Sequence, residues 1–259
     1  MKLFTKRSPS YHNQHAKKVA DYYDNWHNEY MKVYGPIIQS YRPSSTGDLL
    51  YYLEESMGLA DGMRILDAGC GVCVPAIHFA NHYDLSVDGI TISRKQVKEG
   101  KRQIKKHGAQ NRVTCTHGDF HELDSFFPPR AYDGVIFLEA LGHAGDPHTV
   151  LTSAANVLKT GGFIYVKDFF PCESDDQEFV KATYQTAQNI NEEYCYNVLD
   201  LHDTITTLRK AGFVINFIQE YDFDDDISIR KEFESHYNAA TYAGGKLEWL
   251  EIKCEKRYA

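Results

Sequence analysis

Residues Ile65 to Ala80 read ILDAGCGVCVPAIHFA: an apolar run ending in the acid Asp67, a turn holding Gly69, Cys70, Gly71 and Cys73, and a helical pattern from Pro75 onward. A strand, a glycine turn and a helix start in that order set a carboxylate and bare backbone N–H groups around one cavity. A Cβ at either glycine would obstruct a ligand approaching the backbone. A dinucleotide-binding turn is the first rival. Its G-x-G-x-x-G pattern expects a third glycine, and an acid at the end of the next strand. Here the turn reads GCGVCV and the following DGITIS carries Thr91 at the acid's place, which weakens a nicotinamide reading.

Working outward, apolar or β-branched runs recur at RILDAG, SVDGITIS, RVTCTHGD, YDGVIFLEA, GFIYVKDFF, FVINFIQEY and LEWLEIKCEK. Helical patterns separate most of them, at Pro75 to Tyr83, Arg94 to His107, Pro147 to Leu158 and Leu201 to Ala211. This alternation predicts a doubly wound α/β fold on a mostly parallel sheet. Ser93 with Gln96 forms a capping-box pattern, Asp146-Pro147 starts a helix, and KTGG stops it. Residues 1–60, 170–200 and 222–245 fall outside the alternation. Ligand crevices of parallel sheets lie beyond the carboxyl ends of the strands, so these segments are expected as covers. The predicted organisation is an N-terminal helical lid over 1–60 and a core over 61–259, with acceptor-site insertions at 170–200 and 222–245.

A chain of 259 residues with 42% hydrophobic and 25% charged residues suits one decorated globular domain. The formal charge of -8 argues against a nucleic-acid partner, and the lysines of RKQVKEGKRQIKKHG suit the exposed side of an amphipathic helix. No apolar stretch is long enough to span a membrane and the N-terminus lacks a signal-peptide core, so a cytoplasmic location is expected. A homo-oligomer stays open. The six cysteines read as reduced thiols packed like small hydrophobes. CGVC has the C-x-x-C spacing of zinc or redox sites, but no second ligand pair at zinc-finger spacing accompanies it, and no metal is expected there.

These motifs in this order resemble class I S-adenosylmethionine-dependent methyltransferases. ILDAGCGVC is similar to their first motif, HGDF to the acid-aromatic pair after the third strand, and YDGVIFLEALGHAGD to the fourth strand and its loop. VLKTGGFIYVKD and LRKAGFVINFIQEYDF are similar to the segments that follow. The resemblance covers roughly residues 60 to 222 plus the final strand, and Cys73 departs from a third glycine carried by many members. Within the family, GITISRKQ is similar to the second-strand loop of cyclopropane-fatty-acid synthases and geranyl diphosphate C-methyltransferases. The resemblance implies a Rossmann-like seven-stranded sheet and S-adenosyl-L-methionine as cofactor, held by Asp67, Gly69, Cys70, Gly71, Thr91, Gln96, Asp119, Phe120 and Leu138. Gln96 also suits helix capping, and Asp119 a turn.

In VADYYDNWHNEYMKVYG the aromatics fall near helical spacing, which packs a helix on the core. The family's similar lead-in helix closes over the cofactor, and this implies Tyr22 or Tyr23 at its amino-acid end. Glu139 at the end of the fourth strand and His143 beyond it stand where an acceptor would meet the methyl group. A carbon acceptor needs cation stabilisation and a base, which suits Glu139, whereas an oxygen or nitrogen acceptor suits His143. Alternatively Glu139 binds the cofactor's ammonium or caps a turn, and His143 orders the loop. DFDDD, Asp222 to Asp226, would hold Mg²⁺ for a diphosphate substrate, or else form the acidic first turn of a helix. Arg42, Arg94, Lys167 and Arg230 are the basic candidates for a diphosphate. The expected acceptor is a small, largely apolar metabolite, with carbon methylation of a prenyl or terpenoid type ahead of O- or N-methylation. A cofactor-binding cyclase or partner module that transfers no methyl is the contrasting class.

Overall fold

A computed structural model describes residues 9–239 and 246–257. Two helices, α1 (Pro9–Val33) and α2 (Thr46–Met57), lead into the alternating unit. It runs β1 (Arg64–Ala68), α3 (Val74–His82), β2 (Ser86–Thr91), α4 (Arg94–Lys106), β3 (Val113–His117), α5 (Leu123–Phe126), β4 (Tyr132–Leu138), α6 (Pro147–Val157) and β5 (Leu158–Pro171). Then come α7 (Gln177–Glu193), α8 (Leu201–Lys210), β6 (Phe213–Glu220), α9 (Ser228–Tyr237) and β7 (Leu247–Lys256). The seven strands form one sheet in the order β3-β2-β1-β4-β5-β7-β6, and β7 runs antiparallel to both of its neighbours.

The doubly wound reading is borne out. Ile65, Leu66, Val135, Ile136 and Phe137 of β1 and β4 are fully buried, as expected for central strands covered on both faces. On α4 the buried positions Gln96, Gly100, Gln103 and Ile104 trace one helical stripe, which leaves the lysine-rich side to solvent. Strand order reverses between β1 and β4, and that switch point opens a crevice at their carboxyl ends.

Three local expectations change. KTGG follows α6 as predicted, yet it lies within β5, where pairing jumps from Tyr132–Leu158 to Gly134–Phe163 and makes a bulge. The DFDDD run precedes α9, whose first turn holds no acid. Asp225 pairs with Arg230 at 2.6 Å and Asp226 accepts from the Ser228 amide at 2.9 Å. Ser93 does cap α4 by accepting from the Gln96 amide at 3.1 Å, but the Gln96 carbonyl oxygen takes the Thr91 hydroxyl proton at 2.6 Å and does not close the box. Among the described residues no helix is long and apolar enough to cross a membrane.

Candidate functional site

The crevice at the switch point is a cavity of about 880 Å³, counting its opening to solvent. Its floor is the turn between β1 and α3, fastened by the Gly69 and Cys70 amides donating to the Ile90 carbonyl at 2.9 and 3.0 Å. Gly69 (φ +102°) cannot be replaced quietly, since a Cβ there would stand 2.4 Å from Ala140 Cβ. Gly71 (φ +51°) differs. A Cβ there would meet no protein atom within 4 Å, so the turn presents bare backbone to open space.

At the strand end, Asp67 is 2% exposed, and among the described residues no hydrogen bond or cation contributes to its electrostatics. Burial, reinforced by Cys115, pushes it up to about 7. An unpaired acid facing a cavity fits a cationic ligand group, because pairing would offset the desolvation of the carboxylate.

Of the sequence-predicted residues, Asp67, Gly69, Cys70, Gly71, Thr91, Gln96, Asp119, Phe120, Leu138, Glu139, His143 and Tyr23 all line this cavity. Tyr22 does not: it packs among Trp26 and Tyr30 and bonds the Tyr30 hydroxyl at 2.7 Å. Helical geometry separates the adjacent tyrosines. Tyr23 shares the cavity face of α1 with Val19 and Ala16, four and seven residues earlier, and Tyr22 falls off that stripe. Asp119 is already engaged by the His121 ring at 2.5 Å, and His121 in turn accepts from the Asp146 amide at 3.2 Å.

His143 forms the opposite wall with Tyr23. Its Nδ1 faces the Cys195 carbonyl at 3.1 Å, an atom that only accepts, so the proton sits on Nδ1. Nε2 is then the acceptor, and the Tyr23 hydroxyl donates to it at 2.7 Å. Burial pushes the His143 imidazole down to about 3 despite the opposing carbonyl bond, and His15 adds to the depression. Burial, with the charges of Glu139 and Asp168, holds the Tyr23 hydroxyl well above its usual range. The resting pair is therefore neutral.

This depression has a consequence for stability. Between about 6.5 and 3 the unfolded chain binds a proton at His143 that the folded chain refuses, so this contribution to stability is constant above 6.5 and declines as pH falls through the window. Wild type compared with His143→Asn by denaturant unfolding should show the difference shifting against the wild type on acidification from pH 7 to pH 4. Each pKa unit corresponds to about 1.4 kcal/mol. A pH-independent difference would contradict the buried neutral imidazole.

Glu139 lines the cavity and is also engaged by the protein itself. Its two oxygens accept from the Ser40 amide at 2.5 Å and the Tyr41 amide at 3.2 Å, and it pairs with the fully buried Lys167. Lys167 also donates to the Tyr41 carbonyl at 2.7 Å. This network ties the segment after α1 across the cavity, where Pro36, Ile37, Ile38 and Gln39 form part of the lining.

Sequence reasoning passed over two residues. Gln39 is buried with its side-chain oxygen unpartnered beside the cavity. Asp24 accepts from the Ser93 hydroxyl at 2.6 Å and the Lys95 amide at 3.1 Å, which fastens α1 to the start of α4. The YYD triplet of the lead-in helix was the available signal for Asp24, and none existed for Gln39. Of the four basic candidates for a diphosphate, none lines the cavity. Arg42 bonds the Ile37 carbonyl, Lys167 pairs with Glu139 and Arg230 with Asp225.

The sequence profile described as mycolic acid cyclopropane synthetase matches residues 49–235. The chain is similar to a sterol 24-C-methyltransferase of Aspergillus fumigatus, 27% identical over 63% of this chain and 43% of the relative. A 27-O-demethylrifamycin SV methyltransferase of Amycolatopsis mediterranei is 40% identical over 43% of this chain and 40% of its own. The chain thus spans less than half the length of these curated relatives. In fold it is similar to the [4+2]-cyclase SpnF, with a TM-score of 0.78 and 20% identity covering 94% of this chain and 97% of that one. It is also similar to geranyl diphosphate C-methyltransferase from Streptomyces coelicolor, solved with Mg²⁺, geranyl diphosphate and S-adenosyl-L-homocysteine. There the TM-score is 0.71 at 16% identity, over 97% of this chain and all of the other.

Proposed function

The chain belongs to the mycolic acid cyclopropane synthetase family, and from that premise we propose that it is an S-adenosylmethionine-dependent methyltransferase acting on a small, largely apolar acceptor. The observation that carries this reading is the glycine turn with its unpaired buried Asp67, opening onto a cavity whose far wall presents the Tyr23–His143 pair. When bound, S-adenosylmethionine supplies a methyl group on a sulfonium, open to in-line displacement. The backbone of Gly69 to Gly71 would lie against it, Asp67 would face its positive charge, and Thr91, Gln96, Asp119, Phe120 and Leu138 would complete its surroundings. Of the expected lid over 1–60, the described part from Pro9 onward acts as the cover, and residues 1–8 lie outside the described residues: one face of α1 and the segment ending at Ser40 and Tyr41 exclude water and hold the acceptor in line.

Carbon is the acceptor atom this wall suits best. Methylation of an alkene carbon leaves a cation that must lose a proton, and such a cation is a far stronger acid than a hydroxyl group. A weakly basic, neutral pair suffices for it. The proton passes to the Tyr23 oxygen as the Tyr23 proton moves to His143 Nε2, and the tyrosine face lies beside the developing charge. Glu139 positions the covering segment and takes no proton, since its oxygens are already engaged. Methylation of a hydroxyl by the same pair is the second reading, favoured by the histidine's hydrogen bond to a hydroxyl group.

The test uses S-adenosylmethionine labelled in its methyl group, with a panel of isoprenoid and hydroxylated small molecules. Transfer of label to an isoprenoid carbon is expected. A chain that binds S-adenosylhomocysteine but labels no acceptor in the panel or in a metabolite extract would be a cofactor-binding cyclase or partner module. In Gly71→Val, S-adenosylhomocysteine affinity should fall by at least about 100-fold, as the side chain fills space against the exposed turn. Unchanged affinity in calorimetry would remove the cofactor assignment.

A further inference from the structure

Behind the same turn lies a cluster that the methyl-transfer reading leaves unused. Cys70 and Cys73 flank Gly71 and Val72, and the third thiol, Cys115, comes from β3. The three sulfurs lie within 4.8 Å of one another, and all three residues are buried. Cys70 and Cys73 stand 3.5 Å apart, sulfur to sulfur.

Two glycines make room for them. A Cβ at Gly89 of β2 would come within 2.8 Å of the Cys70 sulfur, and one at Gly100 of α4 within 3.0 Å of Cys115 and 3.3 Å of Cys73. Cys73 itself has φ +63°, in the left-handed region that favours glycine. A thiol therefore occupies a backbone position where a side chain is disfavoured.

We propose that Cys70, Cys73 and Cys115 form a binding site for a single soft, thiophilic metal ion. Three sulfurs about 2.3 Å from one ion stand about 3.8 to 4.0 Å apart, depending on whether they lie in a plane with it or cap it. The Cys70–Cys73 spacing of 3.5 Å lies just below that value, and no pair of the three exceeds 4.8 Å. Thiolate sulfur selects soft ions over Mg²⁺ or Ca²⁺. On binding, each thiol releases its proton to solvent and its sulfur donates an electron pair to the ion, with no change of oxidation state. Because Cys70 also lines the cavity, the ion would brace the turn from behind. The C-x-x-C spacing suits a metal, the lack of a second ligand pair in sequence argued against one, and β3 supplies a third ligand.

The reduced full chain, titrated anaerobically with Cd²⁺ against a weak competing chelator, should show a saturable thiolate-to-metal charge-transfer band at one equivalent. Cys172→Ser should bind Cd²⁺ as wild type does. Cys73→Gly should lose more than about 100-fold in affinity. That variant relieves the positive φ and so keeps its fold, which circular dichroism checks, and Cys115→Ala provides an independent ligand deletion. Absence of the band in the wild type, or undiminished binding by folded Cys73→Gly, would overturn the site and leave the thiols as core packing.

Discussion

Tyr23→Phe is expected to lower turnover by about two to four orders of magnitude, the range for loss of a positioned proton acceptor, with little change in S-adenosylhomocysteine affinity. Phenylalanine preserves the ring, whose neighbours are Tyr30 at 5.8 Å and His143 at 5.1 Å between centroids. It removes only the hydroxyl that donates to His143 Nε2. Without it the relay ends at a ring that carries no transferable proton, while His143 stays held at its other nitrogen by the Cys195 carbonyl. His143→Gln should fall similarly, and the double variant little further, because the two act as one unit. Single-turnover rates measured beside affinities decide it. A Tyr23→Phe chain with full rate would exclude the relay, whereas equal loss of rate and affinity would make Tyr23 a cofactor contact.

The second large effect is expected at the buried ion pair. Glu139→Gln leaves the Lys167 ammonium, 0% exposed, without its counter-charge, and breaking such a pair costs about 3 to 5 kcal/mol. For a chain of this size that is a fall in melting temperature of roughly 6 to 20 °C. Glutamine still accepts from the Ser40 amide, so the loss reports the charge more than the hydrogen bonds. Adding Lys167→Met removes the stranded ammonium and should recover most of the stability. Turnover separates positioning from proton removal. If Glu139 only holds the covering segment, the double variant regains rate along with stability. If it regains stability and stays inactive, the carboxylate takes part in the reaction.

Much of this molecule was legible in the sequence because its signals are local. The run from Ile65 to Ala80 states strand, turn and helix within sixteen consecutive residues. Gly69 and Gly71 need positive φ whatever packs around them. Asp146 caps α6 from the adjacent position in the chain, accepting from the His148 and Thr149 amides. The alternation of apolar runs with amphipathic helices was enough to specify a mostly parallel sheet, and with it a crevice at the strand ends, since the handedness of the crossovers leaves few other arrangements. That placed every predicted site residue but Tyr22 in the cavity lining, while the other half of the lining, including Pro36 to Gln39 and Ala16 and Val19 of the α1 face, was not singled out.

The pairings across that cavity were decided only by tertiary structure. Tyr23 meets His143 across 120 positions of chain, Ser40 meets Glu139 across 99, and Asp24 meets Ser93 across 69. Composition and periodicity carry no information at those separations. Tyr22 and Tyr23 were equivalent in the sequence until the helix was docked, and nothing in the sequence paired Glu139 with Lys167. Burial is the common physical reason. It silences His143, raises Asp67 and forces Glu139 into an ion pair, and burial is a property of how the elements pack together, so it is absent from any stretch of sequence read alone.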